Sequence, residues 1–304
     1  MHSAGVNRYG DAMLFLVMAS AWALNYPFVK FALLYEGPEG VVLFRIIFAL
    51  IFALAIFGRN LKWPSGKREN LILLVYGFMN IVAFMSFWLL GESTETSALS
   101  SIIIYTFPVL TMVFSVIFLG EKVSNLKIAG TVLGFAGLIV VFVDHLIIKP
   151  GIGLFLLLLA AISWASATIV FKKYFANQDS RSVNTIQFVY ALPFLALFSL
   201  APGNFTVHGL TIQFLLIAIF MGSIGTAIAY AIFLYLIRKY PVSEISSFFF
   251  LVPALSIIFS LILLHEVSTV FTYAGFAMIS AGIFLSSFGR TGSGGAKVVN
   301  KQME

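Results

Sequence analysis

The chain has 304 residues, 61% of them hydrophobic and only 10% charged, against about 25% charged in an ordinary soluble domain. It owns too little polar surface to fold in water, and its 33 Phe suit side chains that face lipid or fill a helical bundle. Zero cysteine excludes a disulfide framework, thiolate metal sites and a cysteine nucleophile, while the net charge of +6 comes with no basic run in a polar domain, so no nucleic-acid partner is expected.

A membrane-spanning helix needs about 20 mostly apolar residues, because roughly 30 Å of hydrocarbon divides by 1.5 Å of rise. Ten segments meet that test, and they predict an all-α integral membrane protein. Residues 1–9 form a short polar N-terminus. Arg8 precedes an apolar stretch, but no small-residue cleavage site follows, so 11–31 reads as a retained first span. It carries Trp22, Asn25 and Tyr26 at i, i+3 and i+4, one helical face. The second span, 39–57, holds Arg45. The third, 71–91, aligns Asn80, Phe84, Phe87 and Trp88, and the fourth, 97–119, aligns Ser101, Tyr105 and Pro108. The fifth, 124–143, contains Gly130, Gly134 and Gly137. The sixth, 151–171, contains Trp164, and the seventh covers 182–201. The eighth, 210–237, aligns Ser223, Thr226 and Tyr230. The ninth, 242–264, repeats the fourth with Ser246, Phe250 and Pro253, and the tenth, 268–288, holds Gly275 and Gly282. The Gly-, Ser- and Lys-containing tail 289–304 is expected to be disordered.

Polar groups inside hydrocarbon are costly and should face the bundle or a wet cavity. An amide among aromatic rings suits a cavity wall, the rings giving apolar contact while the amide orients a polar group. Trp22, Asn25, Tyr26, Asn80, Phe84, Trp88, Tyr105, Trp164, Tyr230 and Phe250 are therefore the candidate solute-binding residues. Ordinary interhelical packing is the alternative for any one of them. Arg45 could anchor a carboxylate. The structural alternative is preferred, since it lies about six residues, roughly 9 Å, from Glu39 and could pair with Glu39 or Glu36. Pro108 and Pro253 are expected to bend their helices and shape or gate the cavity. Glu121 and Glu266 stand before Ser124 and Thr269, where a carboxylate favours the N-terminus of the following helix, a structural role. The glycines give small faces for close packing, either within the chain or in a dimer. No acid lies deep in a span, so the sequence gives proton coupling no strong support. The four histidines have no metal-ligand spacing, and no metal or other cofactor is expected.

Two patterns organise the spans. Counting Lys and Arg in alternate loops puts fifteen on the side of the N-terminus and two on the other, with Arg45 within a span. That bias predicts cytoplasmic termini and an even number of spans. Shifting the chain by 145 residues superposes Pro108 on Pro253, Glu121 on Glu266, Gly130 on Gly275 and Gly137 on Gly282. A shift of 142 superposes Trp22 on Trp164 and Lys30 on Lys172. The chain thus divides into five-helix halves at 10–145 and 146–288, and an odd number of spans per half makes them inverted repeats.

With a Trp in the first helix of each half, Arg45 in FRIIFAL, and a Pro–Glu pair ending each fourth helix, the chain resembles the drug/metabolite transporter superfamily, in particular its EamA-type members. The resemblance covers roughly residues 10–288. Trp22-Ala23 and Trp164-Ala165 stand where members often have Trp-Gly, and Gln187 stands where the second half would repeat Arg45. It implies a ten-helix basket with a central cavity that works by alternating access. The expected function is a secondary transporter of the cell membrane moving a small metabolite, an amino acid or a related neutral or amphipathic solute, with export favoured. A drug-efflux carrier or a membrane channel is the alternative, an enzyme is not expected, and the chain could be a monomer or a homodimer.

Overall fold

The computed structural model describes residues 8–95, 97–145, 151–201, 205, 209–264, 269–289 and 291–292. Ten helical regions follow one another with short connections. They are α1 (Arg8–Ala32), α2 (Pro38–Phe57), α3 (Lys67–Thr94) and α4, in pieces Ser97–Ile104 and Phe107–Leu119. Then come α5 (Asn125–Phe142), α6 (Ile152–Tyr174), α7 (Ser180–Ser199) and α8 (Ile212–Lys239). The last are α9, in pieces Val242–Phe248 and Leu251–Leu264, and α10 (Val270–Phe288). Among the described residues nine helices are long and apolar enough to cross a membrane, and α9 contributes a shorter apolar stretch, Val242–Ser256. Helices are the expected form, because hydrocarbon offers no partner for a backbone N–H or C=O left unpaired. Large apolar side chains such as Leu16, Ile51, Phe118, Phe155 and Phe284 remain exposed, as on a lipid-facing surface.

Local chemistry fixes the ends. Ser124, Asp179, Thr211 and Thr269 accept from the backbone N–H three residues on and start α5, α7, α8 and α10. Gly120, at φ 66°, stops α4 in the left-handed conformation. The boundaries follow the two sequence shifts closely. Pro38–Phe57 and Ser180–Ser199 are offset by 142 at both ends, and Lys67–Thr94 and Ile212–Lys239 by 145 at both ends. A π-helical turn interrupts each of the latter pair, at Phe78–Ala83 and Ser223–Ile228, again 145 apart.

Three expectations need correction. Pro108 and Pro253 do not kink continuous helices; α4 and α9 are each broken just before them, and both prolines stand in the first turn of the second piece. There a missing N–H costs no ladder bond. Glu121 does not serve the helix that follows it. Its carboxylate accepts from Val242 N (2.7 Å) and Ser243 N (2.9 Å), capping the distant α9, because Ser124 already caps α5. Glu266 lies outside the described residues. Thr291 and Gly292, expected in a disordered tail, pair antiparallel with Val123 and Lys122, whose backbone groups lie free between α4 and α5; residues 290 and 293–304 lie outside the described residues.

The glycine faces are spent inside the chain. A Cβ on Gly130 would come 2.5 Å from Gly282 O, and one on Gly137 would come 2.9 Å from Gly275 O. α5 and α10 therefore pack backbone to backbone, a contact only small residues permit.

Candidate functional site

Elements of both halves line a central cavity. α1 supplies Trp22, Asn25 and Tyr26, α2 Arg45, and α3 Phe84 and Trp88. The break in α4 supplies Ile104, Tyr105 and Phe107, α6 supplies Trp164 and α8 Tyr230.

The walls are aromatic and mutually braced. Trp22 and Trp164, equivalent under the 142-residue shift, meet edge to face with ring centroids 5.4 Å apart. Tyr230 sits 5.7 Å from Trp22 and 5.4 Å from Trp164. Phe84 lies 4.4 Å from Trp164 and stacks on Trp88 at 5.7 Å. Tyr26 bridges to Trp88 at 5.6 Å and to Tyr105 at 6.3 Å. Edge-to-face and offset arrangements are the favoured ones for such rings.

The polar groups are few and pointed. Arg45 is 3% exposed; its Nε donates to Thr226 Oγ1 (2.7 Å) and its Nη2 to Gly225 O (3.4 Å). Asn25 Nδ2 also donates to Gly225 O (3.3 Å). The π-helical turn of α8 makes this possible. The Ala229 N–H bonds to Ile224 O and Thr226 O rather than to Gly225 O, its α-helical partner. Gly225 O is thus turned toward Asn25 and Arg45, and a Cβ at Gly225 would strike the Asn25 amide. Thr226 Oγ1 donates to Met221 O five residues back (2.8 Å), completing the turn. Two polar atoms of cavity residues are buried without a hydrogen-bond partner: Asn25 Oδ1 and Tyr230 Oη.

Eight of the ten sequence candidates line the cavity: Trp22, Asn25, Tyr26, Phe84, Trp88, Tyr105, Trp164 and Tyr230. Asn80 does not. The π-helical turn of α3 rotates it away, and its Nδ2 donates to Tyr76 Oη (3.1 Å) and Gln187 Oε1 (2.7 Å). Phe250 does not either. The turn at 249–250 sends Phe249 inward to stack on Trp22 at 5.8 Å, while Phe250 packs over Gly134, beside Phe135. Arg45, assigned a structural pairing with Glu39 or Glu36, instead crosses to the other half; Glu39 accepts from Ser86 Oγ (2.9 Å). The polar chain Asn80–Gln187–Asn184–Ala227 O was missed, because its links span residues far apart in sequence.

A multi-pass helical membrane protein whose two halves enclose an aromatic cavity has the architecture of a membrane transporter. The chain belongs to the EamA-like transporter family, whose model matches residues 10–143 and again residues 151–288. It is 32% identical over 278 residues to the "Uncharacterized transporter YvbV" of Bacillus subtilis, covering 90% of each chain. It is 26% identical over 291 residues to the "Probable amino-acid metabolite efflux pump" of Escherichia coli, covering 92% of this chain and 95% of that one. A crystal structure of 16% sequence identity superposes with a TM-score of 0.79, covering 92% of this chain and 97% of the other, a likeness of fold alone. The protein is thus a membrane transporter.

Proposed function

We propose that the chain is a secondary carrier that exports a small metabolite, an amino acid or a related amphipathic solute, by alternating access through the aromatic cavity. The observation that carries this reading is an asymmetry between equivalent contacts of the two halves. Lys172, at the end of α6, donates to Ile237 O (2.7 Å), Arg238 O (3.2 Å) and Tyr240 O (2.9 Å), tying α6 to the C-terminal end of α8. Lys30 is its counterpart at the end of α1, and Glu92, Ser93 and Glu95 are the counterparts of those three acceptors. Lys30 is exposed and within electrostatic range of Glu92, yet among the described residues it donates to none of the three. Both ends are built for the same tie and one is tied. Exchanging the ties would open the cavity to the opposite side.

Further cross-half contacts brace the tied end. Asp11 pairs with Lys239 (2.6 Å) and accepts from Tyr240 Oη (2.5 Å), and Glu121 caps α9. The excess of Lys and Arg in the loops at that end supports placing it, and both termini, in the cytoplasm. The arrangement is then the outward-facing one in the cell membrane. The name of the Escherichia coli relative supports an amino-acid metabolite as cargo and export as the direction.

The test is counterflow in proteoliposomes loaded with unlabelled amino acids. Saturable uptake of a labelled amino acid is expected; an ohmic single-channel current would replace the carrier by a channel.

A further inference from the structure

Arg45 poses a problem of charge. Its guanidinium is buried at mid-bundle, and among the described residues no carboxylate lies in ion-pair contact with it. The two hydrogen bonds it makes, to Thr226 Oγ1 and Gly225 O, go to neutral acceptors, leaving three of its five N–H groups unspent. A buried cation without a counter-charge is strongly unfavourable, and more so inside a membrane.

The other half of the chain indicates that the fold does not need this charge. Under the 142-residue shift Arg45 corresponds to Gln187, and under the 145-residue shift Gly225 corresponds to Asn80. Arg45 bonds to the π-helical turn of α8 at Gly225, and Gln187 meets the π-helical turn of α3 at Asn80 (2.7 Å). The same joint between a second helix and a third helix is thus built twice, once with a neutral amide whose oxygen and nitrogen are both hydrogen-bonded and once with a charged guanidinium that has three donors to spare. The surplus in the first half is one positive charge, and it borders the cavity.

We propose that Arg45 is the carboxylate receptor of the cavity, so that the cargo is a carboxylate-bearing solute, its charge seated on the guanidinium and its apolar part among Trp22, Trp88 and Trp164. The inference rests on the reading of this cavity as the solute site. The unpartnered donor Tyr230 Oη supplies a further hydrogen bond. Asn25 Oδ1 is the acceptor an α-ammonium group would use. A cationic drug, by contrast, would meet an uncompensated positive charge.

The test is Arg45→Gln, the residue the second half already uses, with Arg45→Lys beside it. Hexanoate and leucine serve as acid probes, and hexanamide and leucinamide as their neutral counterparts. Binding to purified protein is followed by tryptophan fluorescence, since three of the four tryptophans line the cavity. The wild type is expected to bind each acid at least about tenfold more tightly than its amide. Arg45→Gln should erase that preference while the protein stays monodisperse, and Arg45→Lys should keep part of it. Equal binding of acid and amide by the wild type, absence of acid binding, or an unchanged preference in Arg45→Gln each overturns the proposal. Acid-selective binding without counterflow would leave the receptor standing and sink the carrier reading instead.

Discussion

Trp22 and Trp164 meet at the middle of the bundle, one from each half, and each touches Tyr230 as well. Such a cluster is both wall and brace. Aromatic pairs contribute about 0.5–1.5 kcal/mol each beyond the area they bury. Trp164→Ala removes several at once, together with a large part of one wall. The expected result is a solute affinity weakened by about 1–2 kcal/mol, roughly five- to thirtyfold, read from competition in counterflow. Phe250→Ala, on a side chain that faces Gly134 and not the cavity, should leave that affinity within about twofold. A comparable loss in both variants would contradict the assignment of the wall. At this scale the sequence was readable wherever a helix kept regular phase. Trp22, Asn25 and Tyr26 were found by spacing alone, as were Phe84 and Trp88. The partner of Arg45 was not, because Thr226 is 181 residues away and nothing local marks it.

The elements that broke regular phase are the ones that misled the spacing argument. A π-helical turn inserts an extra residue per turn and rotates everything on one side of it relative to the other. Asn80 and Trp88 share a face in an ideal helix, but the turn at Phe78–Ala83 separates them. The break at 249–250 likewise sets Phe249, not Phe250, against Trp22. The offsets were legible, since the helix boundaries and both π-helical turns recur at the 142- and 145-residue shifts, whereas the irregularities they carry were not. The π-helical turn of α8 also makes Gly225 a sensitive position. A methyl group there would collide with the Asn25 amide, and the neighbouring backbone carbonyl holds both Asn25 and Arg45. Gly225→Ala is expected to lower thermal stability by about 1–3 kcal/mol, measured by scanning fluorimetry in detergent, and to weaken solute binding with it. Gly130→Leu forces α5 from α10 at a 2.5 Å approach and should abolish the folded, monodisperse species. Survival of that variant with an unchanged melting temperature would contradict the backbone-to-backbone packing.

At the scale of the whole molecule the halves differ less in what they contain than in which contacts are made. Lys172 holds three carbonyl groups at one end, and Lys30 holds none of the equivalent three at the other. A hydrogen bond from a charged donor is worth about 1.5–3 kcal/mol. Loss of the Lys172 tie should therefore shift the balance between the two states by about ten- to 150-fold. Lys172→Gln shortens the reach and removes the charge without adding bulk. Ser243, at the start of α9, reports the result. It is 0% exposed, its backbone N–H is held by Glu121, and its hydroxyl has no hydrogen-bond partner, so Ser243→Cys removes no side-chain bond. In this cysteine-free chain it is the sole thiol. With Lys172 intact, a membrane-impermeant thiol reagent applied to inside-out vesicles should label position 243 slowly. With Lys172→Gln the labelling should accelerate, and a saturating solute should change the rate in both proteins. A Lys30→Gln variant should slow it, since the tie it loses is the one that would hold the cytoplasm-open state. Equal labelling with and without Lys172 would mean that the asymmetry is a fixed feature of the fold and takes no part in transport.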